Sequence, residues 1–219
     1  MKISHTELFR DIEEKDMEAL LSCLSAFRKE YKKGEVILQE GEPTEKIGIV
    51  LSGMAIISCS DVWGNTTILG NASPGAVFGE AYACVPGEPL LISVVAAEDT
   101  AVLFMHIGKA LSTCGNACVF HTKLIRNLLR VCAEKSLQLS RRILHTGSKS
   151  IRGRLLSYFS ECIKRTGSYS FSIPYSRQQL ADYLGVDRSA LSNELSKMRR
   201  DGLIQYEKNS FTVLKPHIV

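Results

Sequence analysis

No stretch of the 219-residue chain approaches the roughly 18 consecutive apolar residues of a bilayer-crossing helix, which excludes helical membrane proteins and a membrane partner of that kind. The basic-then-apolar layout of a secretory leader is missing too; its place is taken by Glu7, Asp11, Glu13, Glu14, Asp16 and Glu18. Seven cysteines, an odd number without regular spacing, supply no disulfide framework and suit a reducing compartment. The expected location is the cytoplasm. The motifs of catalysis are equally absent. There is no Walker loop, no His-Glu-x-x-His pair and no Gly-x-Ser-x-Gly elbow, so no catalytic residue is assigned and an enzyme is not expected. What remains is an ordinary globular balance, 45% hydrophobic and 23% charged, over a length that suits one or two domains.

The net charge of +4 is unevenly spread. From Ser148 onward 12 Lys or Arg face 6 Asp or Glu, a balance of +6, against −2 for the residues before it. A basic C-terminal third suits a polyanion, because Lys and Arg near phosphates gain affinity by releasing condensed counterions. It equally suits a solvated basic face with no partner.

Three regions follow along the chain. From about Tyr31 to Phe104, short β-rich runs (Val36 to Leu38, Ile47 to Leu51, Ala55 to Ser58, Thr66 to Leu69, Leu91 to Ala96, Ala101 to Met105) are punctuated by Gly34, Gly41, Gly53, Gly64, Pro74-Gly75 and Pro86-Gly87. This spacing predicts an antiparallel barrel or sandwich. Ahead of it, Leu8, Ile12, Leu20, Leu21 and Leu24 predict one or two short helices between Thr6 and Phe27. From about Asn116 to His145 neither Pro nor Gly occurs, and Leu124, Leu128, Val131 and Leu139 recur, which predicts one long helix. Such a helix either lies across its own domain or meets a second copy of itself in a coiled-coil-like homodimer.

After Thr146-Gly147-Ser148 a second domain opens with an amphipathic helix, Ile151 to Cys162, through Leu155, Leu156 and Phe159. The sharpest motif is Ser176 to Arg200. Ser176 and Gln179 form a capping-box start, Leu180, Ala181 and Leu184 an inward face, and Gly185-Val186-Asp187 a tight turn that ends in the N-cap of the next helix. In that helix Leu191, Leu195 and Met198 point inward. Arg188, Ser189, Ser192, Asn193, Ser196 and Lys197 occupy the other side, all hydrogen-bonding groups. Arg188 can span guanine O6 and N7, and Asn193 adenine N6 and N7. The assigned DNA-binding set is Ser176, Arg177, Arg188, Ser189, Ser192, Asn193, Lys197 and Arg200, with double-stranded DNA as partner. The runs Leu203 to Tyr206 and Phe211 to Leu214 around Lys208-Asn209 read as a hairpin, so the helix-turn-helix is winged.

These residues resemble the CRP/FNR superfamily of bacterial transcription regulators over essentially the whole chain. Gly34-Glu35, Glu40-Gly41-Glu42, Val50-Leu51-Ser52-Gly53 and Pro74-Gly75 through Phe78-Gly79-Glu80 are similar to the glycine-marked turns of its cyclic-nucleotide-binding β-roll. Glu98-Asp99-Thr100 is similar to that roll's last corner. The resemblance implies an α+β fold: an N-terminal antiparallel β-roll, double-stranded and jelly-roll-like, then a long dimerisation helix and a C-terminal winged helix-turn-helix. The implied domains are residues 1–115, 116–147 and 148–219. It further implies transcription regulation, activation included, by a homodimer on a pseudo-palindromic site, with RNA polymerase as a further partner.

Departures from the family narrow the effector. Gly79, Glu80, Ala81, Ile92 and Ser93 correspond to its effector pocket, where nucleotide-binding members carry Arg-Ser or Arg-Thr at the place of Ile92-Ser93. An isoleucine cannot pair with a cyclic phosphate, so cyclic AMP is disfavoured. No cofactor is assigned, and the effector, if any, is an unidentified small molecule. The closely spaced N-terminal cysteines of the iron-sulfur branch reduce here to Cys23, which disfavours that cluster. Cys114, Cys118 and His121 lie at i, i+4 and i+7, so a thiol or metal sensor is an alternative, as is a constitutive DNA binder whose roll has lost its ligand. No metal ligand is assigned. Many family members present Arg, Glu and a second Arg to a TGTGA-like half-site; Arg188, Ser189 and Asn193 stand in those places, so the half-site is expected to drift.

Overall fold

The computed structural model describes residues 3, 6–111 and 119–214. They divide into two compact units, Met1–Glu134 and Lys135–Val219.

In the first unit a 3-10 turn, Glu7–Phe9, precedes helix α1 (Glu14–Cys23). Strands β1 (Phe27–Tyr31), β2 (Val36–Leu38), β3 (Lys46–Ser52), β4 (Ala55–Ser60), β5 (Thr66–Ala72) and β6 (Val77–Phe78) follow. Then come α2 (Glu80–Ala83), β7 (Ser93–Ala96), β8 (Thr100–His106), α3 (Gly108–Leu111) and α4 (Val119–Thr146). Two antiparallel four-stranded sheets form, ordered β1-β8-β3-β6 and β2-β7-β4-β5. Tyr31, Ile37, Val50, Ala55, Ala72, Phe78, Val94, Ala96, Val102 and Phe104, drawn from both sheets, make one core. The alternate residues of β3 and β8, Ile47, Ile49, Leu103 and Met105, pack into a second core with Leu8, Phe9, Leu20 and Leu24 and with Leu124, Leu128 and Val131 of α4. Both strands are therefore covered on both faces, which explains why they read as continuous apolar runs. Asn127, buried on α4, donates to the carbonyls of Leu8 (3.0 Å) and Arg10 (2.7 Å), fixing the N-terminal turn.

Gly48 of β3 sits opposite Phe78 of β6. A Cβ at Gly48 would enter the Phe78 ring, which is 1% exposed and cannot swing aside. Gly48→Ala is expected to destabilise the protein by about 1–3 kcal/mol, an overpacking cost measured as a lowered denaturant midpoint.

Helix α4 divides its apolar residues. Leu124, Leu128 and Val131 are buried, whereas Ile125, Leu129, Leu139 and Ile143 stand 36%, 69%, 62% and 69% exposed. Leu139, counted from its spacing as part of one stripe with Leu124, Leu128 and Val131, thus belongs to the exposed side. Together with Ser136 and the half-buried Cys132, which also packs on the core, these exposed residues follow one another in steps of four, three, four, three and four, the spacing of a coiled-coil stripe.

The second unit contains the last turns of α4, then α5 (Ile151–Thr166), β9 (Ser170–Ser172), α6 (Arg177–Leu184), α7 (Arg188–Arg200), β10 (Ile204–Glu207) and β11 (Ser210–Val213). Ser150 caps α5 by accepting from the Gly153 amide, and Gly167 closes the helix in a left-handed conformation. Strands β10 and β11 form the expected hairpin, to which β9 adds a third strand. Leu155, Phe159, Leu180, Leu184, Leu191, Leu195, Met198 and Phe211 form its core, with the Phe159 and Phe211 rings 4.9 Å apart. Leu156, one of the apolar residues of the expected amphipathic helix, is 41% exposed, one step around α5 from buried Leu155.

Candidate functional site

The helix-turn-helix is built by local chemistry. The Ser176 hydroxyl accepts from the Gln179 amide while the Gln179 side chain accepts from the Ser176 amide, a complete capping box. Gly185, at φ 63°, takes the left-handed conformation that ends α6. Asp187 then caps α7 through the amides of Ser189 and Ala190. Those bonds, led by one from the Ser189 hydroxyl, hold its carboxyl below the usual carboxylate range. Leu191, Leu195 and Met198 are fully buried and set the rotation of α7.

Rotation decides what the outer face presents. The Ser189 hydroxyl donates to Asp187, Ser192 to the Arg188 carbonyl (2.9 Å) and Ser196 to the Ser192 carbonyl (2.9 Å). With their protons so committed, these small residues offer acceptor oxygens and little bulk. The side chains of Arg188, Asn193, Lys197 and Arg200 make no hydrogen bond within the described residues, which leaves their donors available. Behind the face, Arg152 of α5 binds Glu194 (2.6 Å) and Asp201 (2.7 Å), so two acidic groups of the α7 region are neutralised from the rear. Arg154 donates to the carbonyls of Leu184 (2.8 Å) and Gly185 (3.0 Å), closing the end of α6. Neither arginine was singled out from the sequence; both pair across more than 25 residues of chain, and no local pattern marks such partners.

Arg177 has a different setting from the rest of the assigned DNA-binding set. Its guanidinium lies 5.0 Å from the ring centres of both Tyr206 and Phe211 and donates to the Lys208 carbonyl (2.8 Å) at the hairpin turn. Burial lowers its pKa, and one Nη is buried without a partner. It clamps the wing to the start of α6. The Ser176 hydroxyl is likewise engaged in capping.

At the expected effector pocket, Gly79 precedes α2 in a left-handed conformation, φ 76°, and Glu80 is buried at 6% exposure. Ala81 is exposed. Ile92 is half-buried and packs against the core between the sheets, and the Ser93 hydroxyl accepts from the Glu40 amide (3.3 Å). At the expected place of a phosphate-pairing arginine the structure thus has an aliphatic side chain packed on the core. Cys114 and Cys118 lie outside the described residues, while His121 is buried on α4. Among the described residues no cluster of three His, Cys, Asp or Glu side chains is arranged to hold a metal ion, and no helix is long and apolar enough to cross a membrane.

Comparison with known proteins agrees with both units. Residues 28–114 match the cyclic nucleotide-binding domain family and residues 153–217 the Crp-like helix-turn-helix domain family. The chain is 22% identical over 205 residues to the transcriptional activator protein FnrL of Cereibacter sphaeroides, covering 83% of this chain and 73% of that protein. It is 20% identical over 216 residues to the CRP-like cAMP-activated global transcriptional regulator of Mycobacterium tuberculosis, covering 96% and 93%. Among solved structures, CprK in complex with OCPA is similar in fold at a TM-score of 0.63 and 17% identity, over 93% of this chain and 92% of that one. With a cyclic-nucleotide-type roll before α4 and a Crp-type reading module after it, the chain belongs to the CRP/FNR family of transcription regulators.

Proposed function

We propose that this regulator acts in the cytoplasm as a homodimer on a pseudo-palindromic DNA site, with α4 as the dimer seam, and that its roll responds to a small molecule other than cyclic AMP. In this reading residues 1–115 form the effector domain, 116–147 the dimerisation helix and hinge, and 148–219 the DNA-binding domain, with RNA polymerase as the further partner. The observation that carries it is the outer face of α7, where Arg188, Asn193, Lys197 and Arg200 keep their donors uncommitted around small serines. One such helix per subunit requires half-sites about 34 Å apart, one turn of the duplex. Footprinting is expected to show two symmetric half-sites, with log affinity falling against log salt at a slope near −0.9 for each phosphate neutralised. A single asymmetric footprint would refute the dimeric reading.

The apolar setting of Ile92 has its own consequence. A charged phosphate placed against it loses hydration without gaining a guanidinium, so calorimetric titration with cyclic AMP is expected to show no saturable binding at micromolar concentrations. The constitutive alternative draws on the same packing. A small molecule that changes DNA affinity or thermal stability separates the two.

A further inference from the structure

The second unit contains a cleft that DNA reading does not use. It measures about 320 Å³ and is lined by Gln138 and Arg141 of α4, Tyr158, Glu161 and Arg165 of α5, and Pro174, Tyr175 and Tyr183 around α6. Its size lies at the lower end of ligand pockets.

One wall is aromatic. The Tyr175 and Tyr183 rings stack at 5.1 Å and an interplanar angle of 23°, and the Tyr158 ring lies 6.2 and 5.7 Å from them. Burial pushes the Tyr183 hydroxyl up to about 12 and that of Tyr158 higher still, so these two hydroxyls keep their protons at neutral pH. The wall is held from behind by His145, which is 3% exposed. Its Nδ1 lies 2.8 Å from the Tyr183 hydroxyl and its Nε2 2.8 Å from Glu161. Burial is the main cause of its lowered pKa. The neutral ring therefore donates from Nε2 to the Glu161 carboxylate and accepts the Tyr183 proton at Nδ1.

The rim carries the charge. Arg141 reaches Glu161 only at 3.6 Å, and that carboxylate is already engaged by His145. Arg165 has no carboxylate partner among the described residues, and the Tyr175 hydroxyl has no hydrogen-bond partner among them. Two guanidinium groups against one carboxylate leave the cleft with a single positive charge. A monoanion satisfies it, while a dianion brings a second charge against Glu161.

The geometry points to a binding site for a small aromatic monocarboxylate, its ring against Tyr175 and Tyr183 and its carboxylate between Arg165 and Arg141. The lining residues all belong to the second unit, and the site rests on neither the DNA-binding nor the effector reading above. Its occupant touches the last turns of α4, α5 and the first helix of the reading module together.

The test is calorimetric titration of the full-length protein with benzoate, benzamide and cyclohexanecarboxylate. Saturable benzoate binding, one per chain, is expected, with benzamide and cyclohexanecarboxylate each weaker by about tenfold or more for want of charge and of a flat ring. Arg165→Gln and Tyr175→Leu are each expected to weaken benzoate by a similar factor while the thermal unfolding midpoint without ligand is retained, which shows that the variants fold. The assignment is overturned if benzoate fails to saturate at about 10 mM. It is overturned equally if benzoate binds both variants as tightly as the unaltered protein, which would place it elsewhere, for instance in the roll.

Discussion

An Arg188→Ala protein is expected to bind its specific duplex about 5- to 150-fold more weakly, the equivalent of about 1 to 3 kcal/mol for one bidentate base contact. The loss falls on specificity because Arg188 stands at the first turn of α7 with its donors uncommitted, free to span guanine O6 and N7. Selection from randomised duplexes is expected to show one relaxed position. The selected half-site is also expected to depart from TGTGA, since Ser189 spends its proton on Asp187 and is too short to impose a cytosine as a glutamate does. Asn193 favours adenine at its own position. Lys197→Ala and Arg200→Ala are expected to weaken specific and random duplexes alike, because a phosphate contact carries little sequence information. Recovery of an unmodified TGTGA, or an Arg188→Ala protein with an unchanged ratio of specific to random binding, would show that this face has been misread.

The largest effect is expected from the α4 seam. Leu139→Lys combined with Ile143→Lys places two cations where a partner helix would bury 62% and 69% exposed side chains. Two facing copies would bring four such charges together in a dry seam, where their desolvation outweighs any packing gain. Sedimentation velocity is expected to show a monomer at micromolar concentration. Affinity for the two-half-site duplex is expected to fall by about 10²- to 10⁴-fold, the advantage lost when the second half-site is no longer met at high effective concentration. Neither side chain is needed by its own subunit's core, so the thermal unfolding midpoint of the monomer remains that of a folded protein. An unchanged dimer would move the interface off this stripe.

Legibility of the fold followed the range of the interactions. The capping box at Ser176, the left-handed Gly185 and the Asp187 cap each act within four residues, and all appear as the sequence implies. Strand β1 was missed because Arg28, Lys29 and Glu30 are exposed on an edge whose pairing with β8 lies some 70 residues away. Strand β9 has three residues, too few for periodicity. Leu139 was placed with Leu124, Leu128 and Val131, but it follows Val131 by eight residues, about 80° around a helix of 3.6 residues per turn, and so turns outward. At the reading face the residue types were legible and their commitments were not. Nothing in the sequence shows that Ser189 is bound to Asp187 or that Arg177 is held between Tyr206 and Phe211.

That clamp fixes more than a side chain. Because Arg177 joins the start of α6 to the Lys208 carbonyl and to two wing rings, a tilt of the hairpin against α6 would break that hydrogen bond and part the guanidinium from both rings. A rigid reader transfers adaptation to what is read. In a complex with DNA, a mismatch between the face of α7 and the groove it meets would be taken up by bending or narrowing the duplex. Flexible pyrimidine-purine steps make that deformation cheaper, so base pairs that no side chain touches still contribute to the choice of site.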